Sequence, residues 1–349
     1  MRRPGVQDAY RLAWRHLGRL PAPVGRGLFN LGADAAWALH RLRGGEPGVG
    51  QLERNLARIM PPQSDGALRR ASRAAMRSYL RYFYEAFTLA SLKPEQLRHR
   101  LRAELDPHLR QDLRRGSVVV ALTHTGNWDL TAAWAVQELA PVLTVAEKLE
   151  PADLFAQFLA FRQSLGVRII GQQHGQRVFD QLVHELQQAR SRGEHLVVPL
   201  LADRDLSSAG VEVELCGHPA RCAAGPAALA QRLDLPLYTG TMHYERLTGE
   251  RRRRAGSPWG VVLTVRGVPA PAGLRGREQV AAHTRAWARV VSPLLAAHPL
   301  DWHMLQAVFT ADLDQQRLAR RHAQEQAAPG NRYPGPVSGA AGPRQEGAV

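Results

Sequence analysis

Short apolar runs alternate along this chain with stretches whose apolar residues recur every three or four positions, the pattern of strands followed by covering helices. Val118-Val-Val-Ala-Leu122 has the length and β-branched content of a buried strand, and from Trp128 onward Leu130, Ala132 and Ala133 suit a helix. Residues 142–145, 167–170 and 196–202 read as further strands, with helices over about 151–165 and 178–193. Residues 211–215 alternate like an exposed strand, and Gly225-Pro226 opens a helix reaching Leu233. Strands near 236–244 and 260–265 flank a loop that carries Arg251-Arg-Arg-Arg254, and helices follow at about 279–297 and 312–326. Upstream, Leu28, Leu31, Ala35, Leu39 and Leu42 recur at helical spacing. Glycines at 44, 45, 48 and 50 with Pro47 then break the chain, and short helices resume over 55–60 and 67–92.

This order predicts an α/β fold: a mostly parallel or mixed central sheet with helices on both faces and a helical N-terminal segment. We divide the chain into a basic amphipathic segment over 1–43, a main domain over 44–310, a C-terminal helix over 311–328 and a disordered tail over 329–349, rich in Gly, Pro and Ala. In such a sheet the functional crevice lies outside the C-terminal ends of the strands. The polar residues at those ends are His124 and Asp129, Glu147, and Asp203-Arg204-Asp205, supplied by three different strands.

The first of these ends carries the most chemistry. A strand stopping at Leu122 and a helix starting near Asp129 leave Thr123–Asn127 as a turn, in which Gly126 permits a conformation that a Cβ hinders and Asn127 is a preferred N-cap. On one continuous helix His124 and Asp129 would stand about 140° apart, so they meet only if this turn separates them. Across it, a carboxylate can hold one imidazole nitrogen while the other faces a substrate proton. The bland alternative is a buried histidine bonded to backbone beside a capping aspartate.

Charge and cysteines narrow the classes. Basic residues number 46 against 31 acidic, for a net charge of +15, and all but Lys93 and Lys148 are arginine. The sign favours anionic partners. Arg2, Arg3, Arg11, Arg15 and Arg19 interleave with Tyr10, Leu12, Trp14 and Leu17, which suits an anionic membrane surface. Arg251–Arg254 lacks the interleaved aromatics of a nucleic-acid binder, so no nucleic-acid partner is expected. Cys216 and Cys222 cannot build a disulfide framework, and Cys216-x-His218-x3-Cys222 lacks a fourth zinc ligand, so no metal is expected. With no apolar stretch long enough to span a bilayer and no leader-like segment, the expected location is the cytoplasmic face of the cell membrane, attached peripherally. A metal-dependent hydrolase using His124, Asp129 and Asp203 as ligands is the rival reading from another class.

His124-Thr-Gly-Asn-Trp-Asp129, Thr144-Val-Ala-Glu-Lys148, Phe161-Arg-Gln-Ser-Leu-Gly166, Leu201-Ala-Asp-Arg-Asp-Leu-Ser207, Gly210-Val-Glu-Val-Glu214 and Ala224-Gly-Pro-Ala227 follow one another in the order seen in a known superfamily. Over roughly residues 8–310 the chain resembles the lysophospholipid acyltransferases, whose hallmark is His-x4-Asp/Glu, and within them the branch of bacterial lipid A late acyltransferases. The resemblance implies a glycerol-3-phosphate acyltransferase-like fold. It also implies transfer of a long-chain acyl group, palmitoyl by expectation, from acyl-CoA as co-substrate to a mannose hydroxyl of a phosphatidylinositol mannoside, with no cofactor. His124 would be the general base, Asp129 would orient its ring, and backbone N–H groups near Gly126 and Asn127 would receive the oxyanion. Glu147 would bind acceptor hydroxyls or support His124, and Arg162 and Arg204 would hold phosphate or lock carboxylates. Where the glycerolipid branch has Pro-Glu-Gly-Thr-Arg this chain has Ala-Asp-Arg-Asp. That departure leaves open which of Asp129, Asp203 and Asp205 partners His124.

Overall fold

The computed structural model describes residues 20–44, 48–146, 159–171, 178–316, 318–320 and 323. Glu147, the basic residues of the first nineteen positions, most of the helix expected over 151–165 and the tail from 329 lie outside them. Strands are β1 (Leu101–Glu104), β2 (Val118–Leu122), β3 (Leu143–Ala146), β4 (Arg168–Gly171), β5 (Val197–Leu201), β6 (Val211–Leu215), β7 (His218–Cys222), β8 (Leu237–Arg246) and β9 (Trp259–Gly267). Helices are α1 (Ala22–Leu42), α2 (Val49–Ile59), α3 (Asp65–Thr88), α4 (Pro94–Arg100), α5 (Leu109–Arg115), α6 (Trp128–Glu138), α7 (Val178–Ser191), α8 (Gly225–Leu233), α9 (Gly249–Ala255) and α10 (Gly276–Ala297).

The central sheet has the order β1-β9-β8-β2-β5, and it is mixed: β8 and β9 pair antiparallel, the other neighbours parallel. A bridge between Val142 and Val197 continues it toward the parallel pair β3-β4, while β6 and β7 form a separate hairpin. The expected α/β class with flanking helices and a helical N-terminal segment is what the structure shows.

Alternation along β2 explains why its sequence is apolar without interruption. Val119 and Ala121 enter a core with Leu56 of α2, Leu186 of α7, Leu229 of α8 and Trp287 of α10, whereas Val118 and Val120 enter a second core with Leu97, Leu109, Leu130 and Trp134. Both faces of the strand are covered, so neither parity can be polar. Trp287 is 1% exposed and donates from Nε1 to the Thr239 hydroxyl at 3.0 Å, fixing α10 to β8.

Two expectations differ from the structure for physical reasons, and one stretch left without an element proves to be a strand. Arg251–Arg254 lie on helix α9, a short helix that buries only Ala255, so no apolar periodicity announces it. The stretch 216–222, weighed as a zinc spacing, is the turn and second strand of the β6-β7 hairpin. Thr310–Asp312 is a 3-10 turn held by Arg58, whose guanidinium donates to the Asp312 carboxylate at 2.6 and 2.7 Å, so the helix expected from about 312 starts at 315; among the described residues 315–316, 318–320 and 323 are helical.

Candidate active site

The parallel register of β2 and β5 sets the centre. Leu122 pairs with Leu201, and the Ala202 N–H donates to the Leu122 carbonyl at 2.8 Å, so the next residues in step are His124 and Asp203. His124 Nδ1 lies 2.6 Å from Asp203 Oδ1, and the His124 backbone N–H donates to Oδ2 at 2.8 Å. Trp302 Nε1 donates to the same Oδ2 at 2.8 Å. An ionised carboxylate only accepts, so Nδ1 carries a proton and the neutral ring keeps its lone pair on Nε2. Asp203 is fully buried while the His124 side chain is 40% exposed, which puts the Nε2 edge of the ring on the open side.

Electrostatics couple the two groups. Burial pushes the His124 pKa down, but the charge of Asp203 and its hydrogen bond push it up and prevail over burial and Arg204, so it lies above the ordinary histidine value. Burial would raise the Asp203 carboxyl, yet the His124 charge and the donors from His124 and Trp302 hold it below the usual carboxylate range.

The turn that presents His124 is clamped from two sides. Gly126 has φ +54, and a Cβ there would stand 2.9 Å from the Met242 backbone, so the position requires glycine. The Gly126 N–H donates to the Asp301 carbonyl at 2.9 Å, the His303 N–H donates to the His124 carbonyl at 2.7 Å, and Thr125 bridges Trp302. The Asp301 carboxylate accepts from the Ser78 hydroxyl and, at 2.8 Å, from the Tyr244 N–H. Ser78 also lies 3.0 Å from His303 Nε2; burial, with the Arg81 and His124 charges, pushes the His303 pKa down to about 3. Segment 301–303 is therefore a brace between α3, β8 and the histidine turn.

Asp129 does not hold the imidazole. It is 1% exposed and accepts from Tyr82 Oη at 2.9 Å and from Arg162 Nε at 2.9 Å, while Arg162 also stacks on Trp128 at 3.9 Å. The reason is the cap: Asn127 Oδ1 accepts from the Leu130 N–H at 2.9 Å, which starts α6 at Trp128 and puts Asp129 in a first turn packed beside α3. Of the backbone N–H groups expected near Gly126 and Asn127 to receive an oxyanion, that of Gly126 is already bonded beside the turn, to Asp301. The Asn127 side chain donates from Nδ2 to Glu85 at 2.8 Å. Asp205 accepts from the Ser207 N–H at 2.7 Å and shapes the loop after β5, and Arg204 Nε donates to the Ala307 carbonyl at 3.0 Å. Glu147 falls outside the described residues.

Ser78, Tyr82, Glu85 and the segment Asp301-Trp302-His303 were missed in the sequence. For Ser78, Tyr82 and Glu85 the signal was polar residues at i, i+4 and i+7 on the buried side of α3, but polar residues on an apolar stripe look like interruptions; segment 301–303 carried no signal of its own. Among the described residues no three of His, Cys, Asp and Glu are grouped to hold a metal ion.

A profile of the family described as bacterial lipid A biosynthesis acyltransferase matches residues 5–310. The chain belongs to this acyltransferase family. A protein of Mycolicibacterium smegmatis named phosphatidylinositol mannoside acyltransferase is 34% identical over 313 residues, covering 89% of this chain and 93% of the relative. One of the same name from Mycobacterium tuberculosis strain CDC 1551 is 34% identical over 322 residues, covering 91% and 93%. In this acyltransferase the Nε2 of a half-exposed histidine held on a buried aspartate can accept a proton, and the carboxylate can stabilise the imidazolium that results.

The geometry separates the two aspartates experimentally. Asp129→Asn removes a charge partner of Arg162 and should lower unfolding stability by about 2–4 kcal/mol in urea. The His124 imidazole, followed by NMR titration, should stay above its ordinary pKa in that variant. A fall in the His124 pKa on Asp129→Asn would instead put Asp129 on the ring.

Proposed function

We propose that this acyltransferase moves a long-chain acyl group, palmitoyl in the first instance, from acyl-CoA to a mannose hydroxyl of a phosphatidylinositol mannoside. The observation that carries the reading is the His124-Asp203 pair, with one imidazole nitrogen fixed on a buried carboxylate and the other on the open side. The names of the relatives supply the acceptor class. His124 Nε2 takes the hydroxyl proton as the sugar oxygen attacks the thioester carbonyl, so that a C–O bond forms as the C–S bond breaks. The imidazolium then returns the proton to the departing CoA thiolate. No acyl-enzyme is needed in this scheme.

Peripheral attachment to an anionic cytoplasmic membrane face belongs to the same proposal. No helix among the described residues is long and apolar enough to cross a membrane. On α1 one side docks on α3, through Gly25 against Tyr84, Asp34 with Arg73 and Arg77, and Trp37 with Ser72. The other leaves Val24, Leu28, Leu31, Leu39 and Leu42 exposed, Leu42 at 85%. Shallow insertion of these side chains, with Arg43 near head groups, would give reversible binding in which each near-surface charge contributes about 1 kcal/mol before screening.

One experiment tests both parts. Protein is mixed with palmitoyl-CoA and vesicles containing monomannosylated phosphatidylinositol; mass spectrometry should find one added acyl chain on the glycolipid, and His124→Ala should slow this about 10²–10⁴-fold. Release of free fatty acid with the glycolipid unchanged would overturn the transfer. Protein should sediment with anionic vesicles more than with neutral ones, and less as salt rises. Equal sedimentation with both would overturn the attachment mode.

A further inference from the structure

Beside the histidine brace two guanidiniums share one aromatic ring. Arg81, on the same side of α3 as Ser78, Tyr82 and Glu85, places its guanidinium carbon 3.7 Å from the Trp259 ring centroid and 4.7 Å from that of Tyr244. Arg246, at the end of β8 and paired in register with Trp259, stands 4.5 Å from the same indole. The two guanidinium carbons are thus closer than the sum of their distances to Trp259, well inside the ~10 Å screening length at 0.1 M salt. None of the hydrogen bonds or ion pairs among the described residues involves either one. The nearby carboxylates are engaged elsewhere: Asp301 by Ser78 and the Tyr244 N–H, Glu85 by Asn127 and Tyr244, Glu245 by Arg102 and Arg251. Arg81 feels the buried Asp301 carboxylate electrostatically, but among the described residues neither guanidinium has a hydrogen-bonded or ion-paired acid, which leaves the donors of both for an anion.

Topology puts this cluster on the rim where His124 works. β8 pairs parallel with β2 as far as Gly240, opposite Leu122, and then runs on to Arg246 in the same direction. At about 3.3 Å per residue that extension carries Arg246 roughly 20 Å beyond the end of β2. Trp259 and Arg81 are half-buried and Arg246 is exposed. The cluster is therefore open to solute and displaced from the reacting centre by a linker's length.

We infer that Arg81, Arg246 and the Trp259 face form a phosphate subsite, which anchors a phosphate or pyrophosphate of a substrate whose reacting group lies at His124. The assignment rests on the transfer reading for its physiological source. In acyl-CoA the pantetheine arm separates thioester from pyrophosphate; in a phosphatidylinositol mannoside the sugar and inositol rings separate the hydroxyl from the phosphodiester. Either would supply the anion, and guanidinium donors suit its oxygens.

Inorganic pyrophosphate titrated into purified protein should change tryptophan fluorescence saturably, and Trp259→Phe should remove the change. Arg246→Gln and Arg81→Gln should each weaken that binding about tenfold or more. This arm reads no catalysis, so binding here without acyl transfer would leave the subsite standing and sink the proposed function. Kinetics then identify the source: in either variant KM should rise about tenfold for palmitoyl-CoA relative to palmitoyl-pantetheine, or for the phosphodiester acceptor relative to its dephosphorylated mannoside. Arg246 is exposed, so Arg246→Gln carries the test if Arg81→Gln does not fold. Failure of the wild-type protein to bind pyrophosphate at Trp259 would overturn the inference, as would an unchanged KM for all four substrates in folded Arg246→Gln.

Discussion

The parallel pairing of β2 with β5 is the constraint on which the site depends. It brings the second residue beyond each strand into step, so a histidine and an aspartate 79 positions apart in the chain meet at neighbouring strand ends. The carboxylate is desolvated and would be costly to ionise alone, but three donors converge on it. Its charge in turn raises the imidazole pKa above the ordinary value, against the effect of burial. Pair and sheet support each other.

Around the pair, polar groups that look like liabilities form the mount. Ser78, Tyr82 and Glu85 project from one side of α3 and reach Asp301, Asp129 and Asn127 respectively, so a single helix holds the brace, the helix α6 and its cap. A partly satisfied network of this kind would cost more than an apolar core of the same volume. Here each of the named groups has a partner with good geometry. The turn at Gly126, with its positive φ and backbone contact to Met242, is held in place by this surrounding structure.

Local signals carried much of this to the reader of the sequence. Val118–Leu122 announced a doubly covered strand, Asn127 a cap and Gly126 a left-handed turn, and all three stand as expected. The partner of His124 was not legible, because His-x4-Asp is a local spacing and strand register is not; the choice among Asp129, Asp203 and Asp205 stayed open until β5 was placed beside β2. Helix α9 was hidden by its charge, and β7 was left without an element. Arg162, expected to touch phosphate or lock a carboxylate, bonds to Asp129. The family resemblance predicted the enzyme class, and the structure reassigned the aspartate.

The pH dependence of kcat/KM in wild type and Asp203→Asn tests the central claim most directly. With His124 as base, activity falls as pH drops through its pKa, because the protonated ring cannot accept a proton. The wild-type acid limb should therefore lie above the ordinary histidine value of about 6.5. Removing the Asp203 charge leaves burial and the Arg204 charge, which both lower the His124 pKa, so in Asp203→Asn the limb should move to lower pH while the plateau falls about 10²–10⁴-fold. An unchanged limb and plateau in folded Asp203→Asn, with both altered in Asp129→Asn, would contradict the account.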